Sequence, residues 1–592
     1  MKKIRLDSPH ARARFAGAIV VAAIALLAVF FFRTQVLQSG ADVLIGEGNR
    51  LRTLPLPAAR GDILARDSTI LAGTSMGTAL VLMPAPEDSV RARIRRIGRL
   101  LGLPRAWSER AQRAALVAPR PYVATTSLRP VDVNRLAAAR RELPGVLLEP
   151  WPHRVYPLAA ASAGVVGTVG FEPWPRAAGE NPAGVDAGVV VGRSGLELAY
   201  DTLLSGEAGV RYVEIDSAGG LITDPLKPAY REPVAGRAVR TSIDAELQRY
   251  VASVVPASLR AGAVVIDVQT GDVLALHSQP GRGADTSAAA RANLAVGLVG
   301  NPRAVFQPVT AALALESGHV DVELPQTIPC RGGMRYGDRY FRCWQPDGHG
   351  YLPLAGALRE ACDVYFHQVA LRLGLQALLD AGSRLGLGGR TGIELPEERS
   401  GSYPSTVGEL AALLRRAPNP SDALDLGTGH GINRSTLIGM THAYAILANG
   451  GSAPAPRLAG RERARDTGAL RLPAERLTGL LDMLEAVTAP GGAAAPAGAA
   501  MAAGTRIRGQ LTRRRDEPGV PVEAGWFVGL AGPVEGPDRI AVGVIVARPP
   551  SDALPAALAG RIADYYLRSE GGVPAPSAPD TTTPSSITVA RL

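Results

Sequence analysis

Residues 15–32, FAGAIVVAAIALLAVFFF, form an uncharged apolar run of 18 residues bounded by Arg14 and Arg33. As a helix the run is about 27 Å long, enough to cross a bilayer core. The preceding segment carries Lys2, Lys3, Arg5, Arg12 and Arg14. That charge predicts a cytoplasmic tail at 1–14, a transmembrane helix at 15–32 and the rest of the chain on the opposite side. The run ends in Val-Phe-Phe-Phe-Arg with no small-x-small site, so it reads as an uncleaved anchor and not a signal peptide. No second run of this length follows, so one helix is the predicted membrane attachment.

Beyond the anchor the pattern changes twice. Residues 33–235 alternate short apolar runs such as TALVLMP (78–84) and VLLEP (146–150) with helical patterns such as SVRARIRRIGRLLG (89–102), which predicts an α+β module. From 236, VRTSIDAELQRYVASVV (239–255) predicts a strand and a helix. AGAVVIDVQTGDVLALHSQ (261–279) predicts a hairpin turning at Gln269-Thr270-Gly271-Asp272. A mostly helical stretch runs to about 450, then AGWFVGLAG (524–532) and DRIAVGVIVA (538–547) read as strands and LPAALAGRIADYYLRS (554–569) as a closing helix. The sheet of a domain at 236–570 is therefore drawn from both of its ends. The Pro/Ser/Thr-rich tail 571–592 lacks core residues and reads as disordered. No internal repeat is present.

A chain of 592 residues, 46% of them hydrophobic, is too long for one core and predicts at least two folded domains. The net charge of +10 comes almost wholly from arginines spread along the chain without aromatic interleaving, which argues against nucleic acid. Lysine occurs only at Lys2, Lys3 and Lys227.

The stretch NPRAVFQPVTAALALESG (301–318) predicts a buried helix, with Val305, Phe306, Val309, Ala312 and Leu313 at helical spacing and Gly318 as its cap. Its first turn holds Ala304, Val305 and Gln307, none of them a nucleophile. Other chemistry is sparse. Gly73-Thr74-Ser75-Met76-Gly77 fits a nucleophile elbow but lies between strand-like runs, His277, His319, His367, His430 and His442 are scattered, and Thr310 and Ser317 have no basic partner nearby. The three cysteines fall in one window with a histidine, as Cys330-x12-Cys343-x5-His349-x12-Cys362. This is a complete tetrahedral donor set for structural zinc. In an oxidising compartment the same cysteines suit a Cys330–Cys343 disulfide with Cys362 left over.

Several longer stretches carry a resemblance. RGDILARDSTILA (60–72), GRSGLELAYDTLLSGEAG (192–209), TSIDAELQ (241–248), GAVVIDVQTGDVLAL (262–276) and GTGHGINRSTLIGMTHAYAILANGG (427–451) occur in the order found in class B penicillin-binding proteins. The GHG at 348–350 beside the cysteines resembles the rod-elongation type, penicillin-binding protein 2. The resemblance implies an α+β multidomain fold: an anchor, an elongated pedestal of the dimerisation type at 33–235, and a transpeptidase-like domain at 236–570. The last would be serine β-lactamase-like, with a mainly antiparallel sheet flanked by helices. It also implies a bacterial inner-membrane location with the bulk of the chain periplasmic, and a metal site around the His-Gly turn. The implied partners are a SEDS-type glycan polymerase and other cell-elongation proteins.

The family's activity needs a Ser-x-x-Lys, a Ser-x-Asn or Ser-x-Asp, and a Lys-Thr-Gly. Here Pro-Gly-Ser-Thr-Phe-Lys is matched by Pro302-Arg303-Ala304-Val305-Phe306-Gln307, leaving Ala304 for the serine and Gln307 for the lysine. In EACDVYF the serine becomes Ala361, while Cys362 and Asp363 remain. AAMAAGTRIRGQ (499–510) resembles Ala-Gly-Lys-Thr-Gly-Thr, with Ala502 and Ala503 for lysine and threonine and with Gly504 and Thr505 kept. No Ser-x-x-Lys can be displaced elsewhere in 228–592, because that stretch has no lysine. In a serine enzyme whose groups act as a unit, losing the nucleophile alone costs on the order of 10⁶ in rate. The expectation is a catalytically inactive relative that scaffolds or regulates peptidoglycan synthesis. The rivals are an active D,D-transpeptidase with an unrecognised nucleophile and a non-covalent stem-peptide binding module.

Overall fold

The computed structural model describes residues 9–32, 51–116, 121–172, 189–215, 221–222, 230–281, 293–319, 328–460, 465–513 and 524–570. The tail at 571–592 and the first eight residues lie outside them. The apolar run lies on α1 (Pro9–Phe32), a helix of 24 residues. Side chains on it, among them Val21 and Leu26, are more than half exposed. Among the described residues no helix is long and apolar enough to cross a membrane.

In the α+β region that follows, β1 (Leu51–Leu56) is set apart from a second sheet built on β2 (Ile63–Leu64), β3 (Ile70–Leu82), β4 (Tyr122–Thr125) and β5 (Val146–Val155). Strands β3 and β5 pair antiparallel from Gly73 opposite Val155 to Leu82 opposite Val146. The Gly73–Gly77 stretch is therefore strand interior, with no helix after it to form an elbow. Strand β1 pairs antiparallel with β6 (Gly209–Ile215). Helix α2 (Glu87–Leu101) buries Val90, Ile94, Ile97 and Leu101, spaced at three and four residues, and Gly102 ends it in the left-handed conformation. That stripe joins Leu80 and Leu82 of β3 in a core of its own.

The second region is built on one antiparallel sheet. After α3 (Ala245–Val254) come β7 (Ala261–Asp267) and β8 (Val273–Gln279), joined at the predicted turn with Gly271 at φ +73°. Helix α4 (Gln307–Glu316), the β9 (Gly333–Tyr336) and β10 (Arg339–Arg342) hairpin, α5 (Asp363–Leu385) and α6 (Leu437–Ala448) follow. The chain then returns as β11 (Thr505–Leu511), β12 (Gly525–Pro533) and β13 (Ile540–Val546), closed by α7 (Ala553–Glu570). The strand order β8-β7-β13-β12-β11 joins the early hairpin to the late strands through β7 and β13. Buried rows such as Val264, Ile266, Val544 and Val546 explain why every position of β13 is buried: helices cover both faces of the sheet.

This large core does not stop at the sheet. It continues through Val239 to Ile63, Leu71, Val166 and Leu196 at the base of the first region. The same junction buries ions. Glu197, fully buried, accepts from Arg60 at 2.6 Å and from Arg154 at 2.5 Å. These residues come from two of the motif stretches, RGDILARDSTILA and GRSGLELAYDTLLSGEAG, and from β5.

Candidate functional site

The predicted helix over 301–318 is shorter than its pattern. Arg303–Phe306 forms a 3₁₀ turn, and α4 starts at Gln307. The reason lies at Arg303, whose φ of +50° is left-handed, so a right-handed α-helix cannot begin there. Its backbone N–H donates to the carbonyl of Gly429 at 3.0 Å, which pins the turn. Pro308 sits in the first turn of α4, where a missing N–H costs nothing. Ala304 and Gln307 are both buried.

The Gln307 Nε2 donates to Oδ1 of Asp363 at 3.2 Å, within the protein interior. Asp363 opens α5, and burial pushes its carboxyl up to about 7 against the opposing pull of Arg303 and the Trp344 backbone N–H. Ala361, two residues earlier, is fully buried in a left-handed conformation at φ +52°. The turn that the family pattern gives to nucleophile and base thus meets the start of α5 through the bond from Gln307 to Asp363.

Ala502 and Ala503 are not brought to this place. They lie in the turn before β11, where the Ala502 N–H donates to Asp564 of α7 at 2.8 Å and Ala503 is exposed. The opposite end of β11 meets the opening turn. Gln510 pairs with Val528, the Thr512 N–H donates to the Trp526 carbonyl, and a Cβ on Gly300 would lie 3.3 Å from the buried Trp526 ring. From Ala503 to Gln510 the strand covers about 23 Å. Gln510 lies at this end of the strand. It is fully buried, and its Nε2 donates to the Leu358 carbonyl at 2.8 Å.

These elements enclose a cavity of about 360 Å³ whose walls include Arg303, Arg339, Trp344, Asp363, His430 and Arg513. No lysine occurs among the described residues. The hydroxyl of Thr310 donates to Gly427 and that of Ser317 to Ala314, so neither is held for attack. Of the five scattered histidines, His367 and His430 reach the cavity, and burial pulls them down to about 3 and about 4, which leaves both neutral. Exposed His319 bonds Ser317, while His277 and His442 sit on β8 and α6 against Gln279 and Thr467.

The four residues of the cysteine window converge beside this cavity. One donor atom from each of Cys330, Cys343, His349 and Cys362 lies within 4.8 Å of the others, and the Cys343 Sγ is 3.6 Å from His349 Nδ1. All three cysteines are free thiols, with no Cys330–Cys343 disulfide. The His-Gly turn is tight: Gly348 has φ +79°, and a Cβ there would lie 2.3 Å from the Cys330 carbonyl oxygen. Hydrogen bonds from Cys343 and Cys362 push the Cys330 thiol far down, while the same contacts and burial push Cys362 far up. Burial opposes charge on His349, but Cys330 and Cys343 outweigh it and raise the imidazole to about 10. Three cysteines and one histidine with donor atoms this close supply a complete thiolate–imidazole set, and this cluster can hold a metal.

The penicillin binding protein transpeptidase domain matches residues 261–565, and the penicillin-binding protein dimerisation domain matches 55–241. The chain belongs to the penicillin-binding protein transpeptidase family. It is a class B penicillin-binding protein of the penicillin-binding protein 2 type. The peptidoglycan D,D-transpeptidase MrdA of Escherichia coli strain K12 is 29% identical over 434 residues, 69% of this chain and 68% of that one. The MrdA of Acinetobacter baumannii is 27% identical over 483 residues, 77% of this chain and 70% of its own. Penicillin-binding protein 2 of Helicobacter pylori, solved in complex with MreC, superposes with a TM-score of 0.70 at 20% identity, covering 87% of this chain and 99% of that one. For the Pseudomonas aeruginosa protein in complex with WCK 5153 the TM-score is 0.61 at 22% identity, over 88% and 98% of the two chains.

Proposed function

We propose that this penicillin-binding protein 2-type chain is catalytically inactive and acts as a scaffold or regulator of peptidoglycan synthesis during cell elongation. One observation carries the reading: where the family pattern places a serine and its lysine base, Ala304 and Gln307 stand, and the Gln307 amide is hydrogen-bonded to Asp363. An alanine methyl cannot attack and a carboxamide cannot take its proton. Ala502 and Ala503, matched to the lysine and threonine of the third motif, extend the same loss. The 15–32 run anchors the protein in the inner membrane as a single span. The pedestal at 33–235 and the transpeptidase-like domain at 236–570 then lie in the periplasm. A SEDS-type glycan polymerase is the proposed partner, together with other cell-elongation proteins. The MreC bound to the H. pylori relative is one of that kind. The Cys330, Cys343, His349 and Cys362 cluster holds structural zinc, tying the 328–350 loop to the start of α5 without an open position for chemistry.

The test is fluorescent penicillin applied to the purified full-length protein, with co-purification of the polymerase from the same membranes. Absence of covalent label with retention of the polymerase is expected. Labelling that survives denaturation would establish the active D,D-transpeptidase instead, and loss of the polymerase would remove the scaffold.

A further inference from the structure

Arginine is spread along the whole chain, but the excess of positive charge is not. Between Glu87 and Glu142 the sequence holds 13 arginines against five acidic residues, an excess of eight in a chain whose net charge is +10. The remainder of 33–235 carries 11 basic and 15 acidic residues, a surplus of acid too small to neutralise that lobe wherever its side chains lie.

Inside the lobe most of the acid is already used. Glu87 pairs with Arg91, Glu142 with Arg96, Glu109 with Arg105 at 3.0 Å and Asp132 with Arg129 at 2.7 Å. Six exposed arginines make no ion pair among the described residues: Arg95, Arg99, Arg110, Arg113, Arg140 and Arg141. Arg95 and Arg99 lie on α2, one turn apart and opposite its buried stripe. Arg110 and Arg113 lie on the helix Arg105–Leu116, which packs on α2 where a Cβ on Gly98 would come within 2.8 Å of the Ser108 hydroxyl. The Arg96–Glu142 pair draws the turn bearing Arg140 and Arg141 against α2 as well. The guanidiniums are strung over two helices and a turn, not gathered round one point.

The same surface decides against three kinds of partner. From 87 to 142 one large hydrophobic side chain, Val131, stands well exposed among the described residues. Trp107 and Tyr122 pack against the lobe's own core. A protein interface has an apolar centre, and a helix that settles into a lipid surface sets apolar side chains beside its basic ones. Single-stranded nucleic acid is held by bases stacked on aromatic rings. Exposed forks without such company suit a hydrated polyanion whose charges are set out along a chain, each a planar carboxylate that one guanidinium can chelate.

We propose that this lobe binds the peptidoglycan polymer, through the free carboxylates of its peptide side chains. Charge complementarity selects a carboxylated polymer, and the named activity of the relatives, peptidoglycan D,D-transpeptidase, says which one. The inference rests on the family and on the periplasmic placement proposed above, and not on the loss of catalysis. None of the six arginines lines the cleft. The surface gives the chain a hold on existing wall that needs no acyl transfer.

Co-sedimentation of the full-length protein in detergent micelles with purified, insoluble sacculi tests it. Saturable binding is expected at low ionic strength, falling as salt is raised and lost when the sacculus carboxylates are converted to amides. Arg95→Gln, Arg99→Gln and Arg110→Gln combined should weaken it at least about tenfold. These side chains are exposed and make no ion pair, so the melting temperature of the variant should match that of the native protein, and a loss of binding is not a loss of folding. Equal binding by the variant would put the contact elsewhere, the cleft included, and overturn the proposal. So would no binding at low salt, binding indifferent to amidation, or capture by vesicles of anionic phospholipid in place of sacculi. Penicillin labels the cleft and has no part in these readings, so either proposal can fall without the other.

Discussion

The side-chain amide of Gln307 donates to a carboxylate oxygen of Asp363 across 3.2 Å, with both groups buried. This bond joins the first turn of α4 to the first turn of α5. It does so with a group that has no useful basicity, so the contact holds the cleft together and moves no proton.

Restoring the hydroxyl alone should therefore fail. Ala304→Ser is expected to remain unlabelled by fluorescent penicillin, because no base stands one turn away to take its proton. A covalent band from this variant on a denaturing gel would show that another group, such as His430 or Asp363, can serve.

The same bond has a stability consequence. Gln307→Leu keeps the volume but removes the donor from a buried carboxyl that retains the Trp344 N–H. A loss of about 1–3 kcal/mol in urea unfolding is expected. No change would mean that Asp363 is satisfied without the amide.

Metal content is a direct measurement. Elemental analysis of the purified protein should find about one zinc per chain, and Cys362→Ser should lose it and lower the melting temperature. A native protein free of metal and unaffected by chelators would return the window to three unassigned thiols.

The buried histidines set an acid limit. His367 and His430 are held at about 3 and about 4, below an ordinary value of 6.5. Between those values and about 6.5 the unfolded chain binds more protons than the folded one, so their contribution to stability falls as pH drops through that window and levels off below it. Melting temperatures of His430→Gln should show a shallower acid slope than those of the native protein.

At the junction, Glu197→Ala leaves Arg154 buried without its carboxylate. Breaking a buried ion cluster in this way is expected to cost about 3–5 kcal/mol in chemical denaturation.

Much of the architecture was legible because the sheet and its helices are patterned locally. The hairpin over 261–279, the late strands and the closing helix lie within a residue or two of their expected limits. The cysteine window was legible too, as a set of donors, but its convergence depends on the tight Gly348 turn and on the pairing of Cys330 with Gly350. Two features were not. The left-handed Arg303 carries a Cβ and by itself gives no warning of positive φ, although the family pattern has glycine at that position. The second is that Ala502 and Ala503, matched to the third motif, lie at the far end of β11. Which end of β11 faces the cleft is decided by its register with β12, a long-range pairing that a single segment does not contain.

Separate cores divide the protein's response to stress. The lobe around Leu80, Val90 and Ile94 closes on itself, whereas the base at Ile63 and Leu196 shares its packing with the strands of the cleft. Heat or denaturant can melt that lobe as its own cooperative unit, but any opening at Glu197 disturbs the shared core. The lobe reaches the strands of the cleft by way of β3, which runs from Leu71 at the base to Leu82 in the lobe, whereas the base touches them directly.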